Sequence, residues 1–394
     1  MTRGTMMRRR ILVLAHTGRE DAMRAALQTS SMLVEAGLTP VMLERDANAA
    51  REAVASGAVQ HEMVDVEVLG RDTTLAEISL GVVLGGDGSV LRAAELVRES
   101  SLPLLAVNLG HVGFLAESER TDLARTVQAV VDENYRVEER LTVDVKVFSG
   151  SDLVAHTWAL NEASIEKTNR ERMLEVVIAI DGGPISTYGC DGVVLATPTG
   201  STAYAFSAGG PVVWPEVQAL LMVPLSAHAL FSRPLVVSPE SVISVDVLQR
   251  TNESGVLWCD GRRTVELPLG ARVEVTRSTK PVRLARLTAT PFSERLVRKF
   301  DLPTQGWRGN VSDADRAEMA ARDLARAEAE AWEEHMADSR GVHVVEPHHL
   351  APRPGVVPPP TAALPVLSKA DEQVPLVTRE QLLRAEARKD EENA

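Results

Sequence analysis

At 394 residues the chain is longer than one typical core and predicts two domains plus extra material, and its 44% hydrophobic content argues against wholesale disorder. The formal net charge of −13, from 55 acidic against 42 basic side chains, argues against an extended electrostatic footprint for nucleic acid. Cys190 and Cys259 are the only cysteines, far apart in sequence; they supply neither a disulfide framework nor a Cys-based zinc signature and fit a reducing cytoplasm.

Arg3 and the arginines at 8–10 precede an apolar run at 11–15, which superficially resembles a secretory signal. The run is too short, His16, Thr17 and Gly18 interrupt it, and no small-residue cleavage site follows, so a buried first strand is the simpler reading. No later segment supplies the roughly 20 apolar residues of a membrane span, and a soluble, cytoplasmic protein without membrane contact is expected.

The first third alternates short apolar runs with helical patterns. Strands are expected at 11–14, 40–43, 81–84 and 102–107, with helices at 21–36, ending at Gly37, and at 90–98. This rhythm predicts an α/β domain with a parallel sheet. From about Val137 strand-like segments follow one another: 141–148, 174–180, 193–196, 235–237, 242–248, 256–258, 265–267 and 272–276. Turn signals at 181–184 and at Asp260-Gly261 separate them, which predicts an all-β second domain; one mixed sheet through the whole chain is the alternative. Beyond about Asn310 the chain is rich in Ala, Glu and Arg, then in proline, including Pro352, Pro354 and 358–360. Such a tail cannot form a core; charged, solvated helices at 313–339 and 379–389 are the most structure it suggests. No fixed-period repeat is evident.

The strongest local signal is strand, glycine-rich turn and helix at 80–94. Gly85, Gly86 and Gly88 allow close backbone approach to a ligand, and a helix starting near Ser89 would point unpaired N–H groups and its positive dipole end at a phosphate. Arg92 adds charge one turn in. Asp87 is the turn's one carboxylate, suited to deprotonating a hydroxyl or holding a metal, or else simply to capping the helix. The spacing matches neither the lysine-containing P-loop nor the G-x-G-x-x-G fingerprint.

A second constellation is the hydroxyl-dense block at 190–211, where small residues let a planar ring approach the backbone and Thr, Ser and Tyr hydroxyls can meet base, ribose and amide groups. An ordinary Thr/Ser/Gly-rich hairpin would have the same composition. A third is Asn161-Glu162 at the end of a strand-like run: Asn can pair with an adenine edge and Glu can accept from two ribose hydroxyls, although in isolation an ordinary strand-end turn is the better explanation of the dipeptide.

Together, the GGDG turn at 85–88, the Asn161-Glu162 pair and the block at 190–211, in this order and separation, resemble the NAD kinase family over about residues 10–305. The resemblance implies an α/β domain over 1–137 joined to a C-terminal β-sandwich that binds NAD over 138–285, with 286–305 returning to the first domain and a tail over 306–394. It implies transfer of a phosphoryl group from ATP or inorganic polyphosphate to the 2'-hydroxyl of the adenosine ribose of NAD, with a divalent metal, magnesium, and a homo-oligomer, dimer or tetramer. Asp87 would accept the hydroxyl proton, with Gly88 and Arg92 near the nucleotide phosphates. Asn161 and Glu162 would grip the adenosine, Arg172 and Asp191 match dinucleotide-contacting positions, and Thr202, Ala203, Tyr204, Ala205, Phe206 and Ser207 would line the pocket. Ser89 replaces the more usual threonine and keeps its hydroxyl. The tail has no counterpart in the family pattern.

Two rivals share features with this reading. A lipid kinase of the diacylglycerol-kinase type resembles the chain at the GGDG turn, but the hydroxyl-rich block and the lack of an amphipathic surface helix tell against it. The other is a non-catalytic NAD-binding regulator whose tail recruits partners, a reading that the presence of Asp87 makes less attractive. His343, His348 and His349 read as a solvated cluster in the proline-rich tail, since no acidic or cysteine ligands surround them at usable spacing. Trp158, Trp214 and Trp258 are expected to pack in or between sheets.

Overall fold

A computed structural model of the chain describes residues 8–304, except 111, 112, 117, 120, 121, 170, 250–253 and 289, together with Arg322. The histidine cluster, the proline-rich stretch and the helix expected at 379–389 lie outside the described residues, as does all but Arg322 of the helix expected at 313–339. Met1–Asn310 group as one unit, to which the following refers.

The first apolar run becomes β1 (Arg10–Ala15), with Ile11, Leu12, Val13 and Leu14 all buried. Alternate residues of a strand face opposite ways, so Ile11 and Val13 pack with α1 (Glu20–Glu35) while Leu12 and Leu14 join a separate cluster on the other face. A strand covered on both faces has no polar side to show, which is why the run is continuously apolar. Then come β2 (Thr39–Met42), α2 (Glu44–Ala55), β3 (Glu67–Val68), β4 (Ile78–Leu84), α3 (Asp87–Val97) and β5 (Leu104–Asn108). The short β6 (Ser118–Glu119), α4 (Leu123–Val131) and β7 (Arg136–Arg140) complete this region.

These strands form a sheet in the order β3-β2-β1-β4-β5, parallel throughout, with β6 beside β5. Residues of α1 and α4 cover one face, those of α3 the other. β1 lies between β2 and β4, so the chain first builds the sheet to one side and then to the other. Open α/β sheets bind ligands outside the carboxyl ends of the strands at such a switch point.

The strand-rich region contains β8 (Val143–Ser149), β9 (Asp152–Ala159), β10 (Glu162–Lys167), β11 (Leu174–Ile180), β12 (Gly183–Cys190), β13 (Gly192–Ala196), a four-residue α5 (Tyr204–Ser207) and β14 (Leu220–Leu225). β15 (Leu235–Val237), β16 (Ile243–Val247), β17 (Gly255–Cys259), β18 (Arg263–Leu267) and β19 (Ala271–Arg277) follow. They make two six-stranded antiparallel sheets, β12-β11-β16-β19-β8-β9 and β15-β14-β13-β10-β17-β18. Val145, Ile178, Val245 and Val273 from the first meet Ile165, Leu195, Met222 and Leu257 from the second in one buried cluster, which makes the pair a sandwich. The chain therefore has the expected α/β region and β-sandwich, not one mixed sheet.

The last strand, β20 (Val282–Arg286), leaves the sandwich and lies between β5 and β7 of the first sheet, parallel to the former and antiparallel to the latter. The return to the first sheet thus begins at Val282, a little before 286. It continues into α6 (Phe292–Phe300), whose side chains decide how the site is enclosed.

Candidate active site

α3 begins at Asp87, two residues earlier than the sequence suggests, with Gly86 as its N-cap. The Asp87 carboxylate does not cap the helix. Its Oδ2 accepts the Phe114 N–H at 3.0 Å and its Oδ1 the Leu115 N–H at 3.1 Å. The loop after β5 presses closely enough that a Cβ at Gly113 would run into this carboxylate. Arg286, buried in β20, fixes the loop from behind: Nη1 donates to the Leu115 carbonyl at 3.1 Å and Nε to Glu138 Oε2 at 2.9 Å. With the side chain of Asp87 held elsewhere, the first N–H groups of α3 keep their freedom to meet an anion.

A cavity of about 730 Å³ opens at the carboxyl ends of β1, β2, β4 and β5, the expected switch point. Gly85, Gly86, Asp87, Gly88, Ser89 and Arg92 all line it. Five cations, Arg19, Arg45, Arg92, Arg262 and Lys299, face two carboxylates, Asp46 and Asp87, a balance that suits a polyanion. Asp46 is only 4% exposed. Its Oδ1 lies 3.3 Å from Arg45 Nε and 4.0 Å from Arg92 Nη2, and neither oxygen has a hydrogen-bond partner; burial pushes this carboxyl up.

The other two motifs form a neighbouring cluster. Asn161 and Glu162 sit at the start of β10, beside the end of β13. The Thr197 N–H donates to the Asn161 carbonyl at 2.9 Å, and Thr197 Oγ1 donates to the Leu160 carbonyl at 2.6 Å. A Cβ at Gly200 would overlap the Asn161 carbonyl oxygen, so the two motifs meet backbone to backbone. Gly200→Ala is therefore expected to cost about 3 kcal/mol, the upper end of overpacking, read as a lowered denaturation midpoint; an unchanged midpoint would show that this contact yields freely.

Glu162 is buried, and desolvation, helped by the charge of nearby Asp260, pushes its carboxyl up to about 8 against a backbone hydrogen bond from Tyr204. Its Oε2 has no hydrogen-bond partner. In the hydroxyl-rich block Ala205 is buried beneath exposed Tyr204, Phe206 and Ser207, with Thr202 and Ala203 half-buried.

α6 links the two clusters. The Phe300 ring stacks on Phe206 at 4.5 Å between centroids and lies 5.7 Å from Phe114, whose N–H holds Asp87. Phe292 sits 5.7 Å from Phe114 and 5.1 Å from Trp214. One short helix thus touches the loop gripping Asp87 and the block at 204–214, while its Lys299 reaches the cavity.

Like the Asn161-Glu162 pair and residues 202–207, two further sequence candidates do not line the cavity. Arg172 is exposed in the loop between β10 and β11. Asp191, between β12 and β13, pairs with Lys167 at 2.5 Å, and that hydrogen bond holds its carboxyl below the usual range. Trp158 lies under two guanidinium groups, Arg98 at 4.2 Å and Arg263 at 4.6 Å from the ring centre, while Trp214 and Trp258 are 40% and 38% exposed. Asp46, Arg45, Arg286 and Lys299 escape sequence reading, since each is one charge among many on an amphipathic pattern. Asp260 reads only as a turn residue.

Among the described residues no helix is long and apolar enough to cross a membrane, and no group of three or more His, Cys, Asp or Glu side chains is placed to hold a metal.

Comparison with known proteins decides the family. The ATP-NAD kinase N-terminal domain matches residues 11–135 and the ATP-NAD kinase C-terminal domain matches residues 160–287. The chain belongs to the ATP-NAD kinase family. The chain is 58% identical over 301 residues to an NAD kinase of Leifsonia xyli subsp. xyli, covering 76% of this chain and 97% of the relative. It is 57% identical over 316 residues to an NAD kinase of Thermobifida fusca, covering 79% and 95%. Two solved structures share the fold: yeast NADH kinase complexed with NADH, with TM-score 0.67, 23% identity and coverage of 76% and 89%; and an NAD kinase from Archaeoglobus fulgidus in complex with ATP, with TM-score 0.54, 22% identity and coverage of 75% and 99%. As a member of the ATP-NAD kinase family the chain is a phosphotransferase, which sets aside the non-catalytic reading; the match of both family domains likewise sets aside the lipid kinase.

Proposed function

We propose that the chain transfers the γ-phosphoryl group of ATP to the 2'-hydroxyl of the adenosine ribose of NAD, forming NADP. The observation that carries this reading is the place of Asp87: its carboxylate is held by two backbone N–H groups on the edge of a cation-lined cavity, and the same loop is packed through α6 against the hydroxyl-rich block.

The cavity takes the donor polyphosphate, with Arg92, Lys299 and the start of α3 meeting its charge. The acceptor lies on the other side, with Asn161 and Glu162 gripping the adenosine, Thr202 to Ser207 lining its pocket, and Arg172 and Asp191 meeting the rest of the dinucleotide. The ribose oxygen attacks the γ-phosphorus, the bond to the β–γ bridging oxygen breaks, ADP departs, and Asp87 takes the hydroxyl proton. A carboxylate has about four lone-pair positions, so two backbone donors leave room for that proton. Positioning and charge stabilisation supply most of the rate in such transfers.

Magnesium is commonly held by one or two carboxylates and substrate phosphates. The cavity offers two carboxylates, one of them Asp46, whose Oδ1 pairs with Arg45 while its Oδ2 accepts no hydrogen bond, which fits an ion that arrives with the donor. Asp87 and Asp46 would hold it, and it would neutralise charge on the transferring phosphoryl group.

The same reading includes an α/β domain over 1–137, an NAD-binding β domain over 138–285 and a cytoplasmic homo-oligomer. Leu230, wholly exposed, and Phe231, 55% exposed, support an apolar contact between copies.

The test is NADP formation by purified protein with NAD, magnesium and either ATP or polyphosphate. Product with ATP supports the reading, product with polyphosphate alone reassigns the donor, and no product from folded protein with either overturns it. The Leifsonia relative is matched over 97% of its length by 76% of this chain, so part of this chain has no counterpart there. Removing the residues after Asn310 is expected to leave kcat within about twofold, as for a segment outside the packed unit; a larger fall would place the tail in the chemistry.

A further inference from the structure

One turn of the sandwich holds the Asn161-Glu162 motif in place. Asp260, between β17 and β18, has a left-handed backbone with φ of 55°. Its N–H donates to the Glu162 carbonyl at 2.9 Å. Its carboxylate accepts the Leu160 N–H at 3.0 Å and the Asn161 N–H at 2.7 Å. A single residue therefore fixes three backbone groups in succession, one on each residue of the Leu160-Asn161-Glu162 turn.

Behind it stands Arg263. Its Nη2 donates to Asp260 Oδ2 at 2.8 Å and to the Trp158 carbonyl at 2.7 Å, and its Nη1 donates to Glu95 Oε1 at 2.6 Å. Arg262 adds two contacts to Glu95, both at 3.0 Å. Glu95 lies on α3, the helix that starts at Asp87, two turns and about 12 Å further along its axis. The helix carrying the proton acceptor and the turn gripping the adenosine are thus joined by a continuous chain of charge-assisted hydrogen bonds.

We propose that Asp260, braced by Arg263 and Glu95, is a positioning residue for phosphoryl transfer: it sets the Asn161-Glu162 turn in register with the helix that begins at Asp87. This rests on the reading of Asn161 and Glu162 as the acceptor's grip. Burying Asp260 beside a half-buried arginine is a poor way to gain stability alone, because apolar side chains of similar volume commonly do as well. What apolar side chains cannot do is hold two backbone N–H groups of the turn and a helix at once. Arg263, unlike lysine, supplies a rigid fork that reaches Glu95, Asp260 and Trp158 together.

The experiment is steady-state kinetics of the full chain, varying NAD and ATP separately, for the parent, Arg263→Met, Arg263→Lys and Glu95→Gln, with thermal midpoints alongside. In Arg263→Met, kcat/KM for NAD should fall about 10²-fold, the scale of an ångström-sized misplacement, while KM for ATP stays within about twofold. Arg263→Lys should recover some of the loss. Glu95→Gln, which leaves the Asp260–Arg263 pair intact, should show a loss of about tenfold in the same direction, the scale of one charge-assisted hydrogen bond, and it keeps the test alive if Arg263→Met fails to fold. Lowered midpoints with the NAD and ATP parameters unchanged, or falling together, would make the bridge structural only and overturn the proposal. A parent that makes no NADP overturns the underlying assignment and the bridge with it, an outcome distinct from an active parent with indifferent variants.

Discussion

Asp87→Asn is expected to bind NAD as the parent does and to lose about 10²-fold to 10⁴-fold in kcat, the usual scale of a missing general base. The variant keeps one oxygen for one of the two backbone donors of Phe114 and Leu115, and its amide group faces the other. The structural penalty is one hydrogen bond to a charged group, about 1.5–3 kcal/mol. The kinetic loss corresponds to about 3–5 kcal/mol in the transition state, so a fall beyond roughly 10²-fold belongs to the chemistry. Calorimetric titration with NAD and initial rates of NADP formation separate the two. Turnover near the parent's would remove Asp87 from proton transfer; lost NAD binding would give it the role of holding the loop instead.

The α/β region is legible in sequence because its strands are covered on both faces. The continuous run of β1 and the glycine break after β4 leave few other readings, and α1 ends within a residue of where Gly37 suggests. The sandwich is legible as a class, yet β9, β10, β12 and β14 escape individually. In β9 and β12 this is because most of their residues are exposed or half-buried, with no apolar alternation along either strand. The GGDG turn is visible because glycine spacing is a local signal. The donors that hold Asp87 are not: Phe114 and Leu115 contribute only backbone N–H groups, which every non-proline residue carries. Asp260 is hidden for a related reason. As Asp-Gly between strands it reads as a hairpin turn, and only the tertiary approach of β10 turns its carboxylate toward Leu160 and Asn161. α6 is lost among charges, since none of its residues is buried and its contacts are made by aromatic rings on one face.

The buried carboxyl of Glu162 leads to the other large effect. The folded chain holds this proton up to about pH 8, whereas an unfolded chain releases it near the ordinary value of 4.5. Between those limits the folded state binds more protons than the unfolded one, so this group's contribution to stability is present below about pH 4.5 and is lost as pH rises through 8. Once ionised in place, the carboxylate costs up to about 5 kcal/mol. Glu162→Gln removes the titration and keeps a carbonyl for the Tyr204 N–H. Denaturant unfolding should find parent and variant alike near pH 4 and the variant progressively more stable above it, with the gap levelling off beyond about pH 8. NAD binding should move the other way, because a carboxylate that accepts two ribose hydroxyls must be ionised: parent affinity should rise with pH toward about 8 and above, while the variant binds more weakly and without that rise. A variant that is both more stable and less able to bind at about pH 9 is the behaviour of a group placed for a ligand at the expense of the fold. Equal stability of the two proteins at about pH 5 and about pH 9 would mean that Glu162 is ionised throughout, and would leave its reach toward the ribose without this electrostatic support.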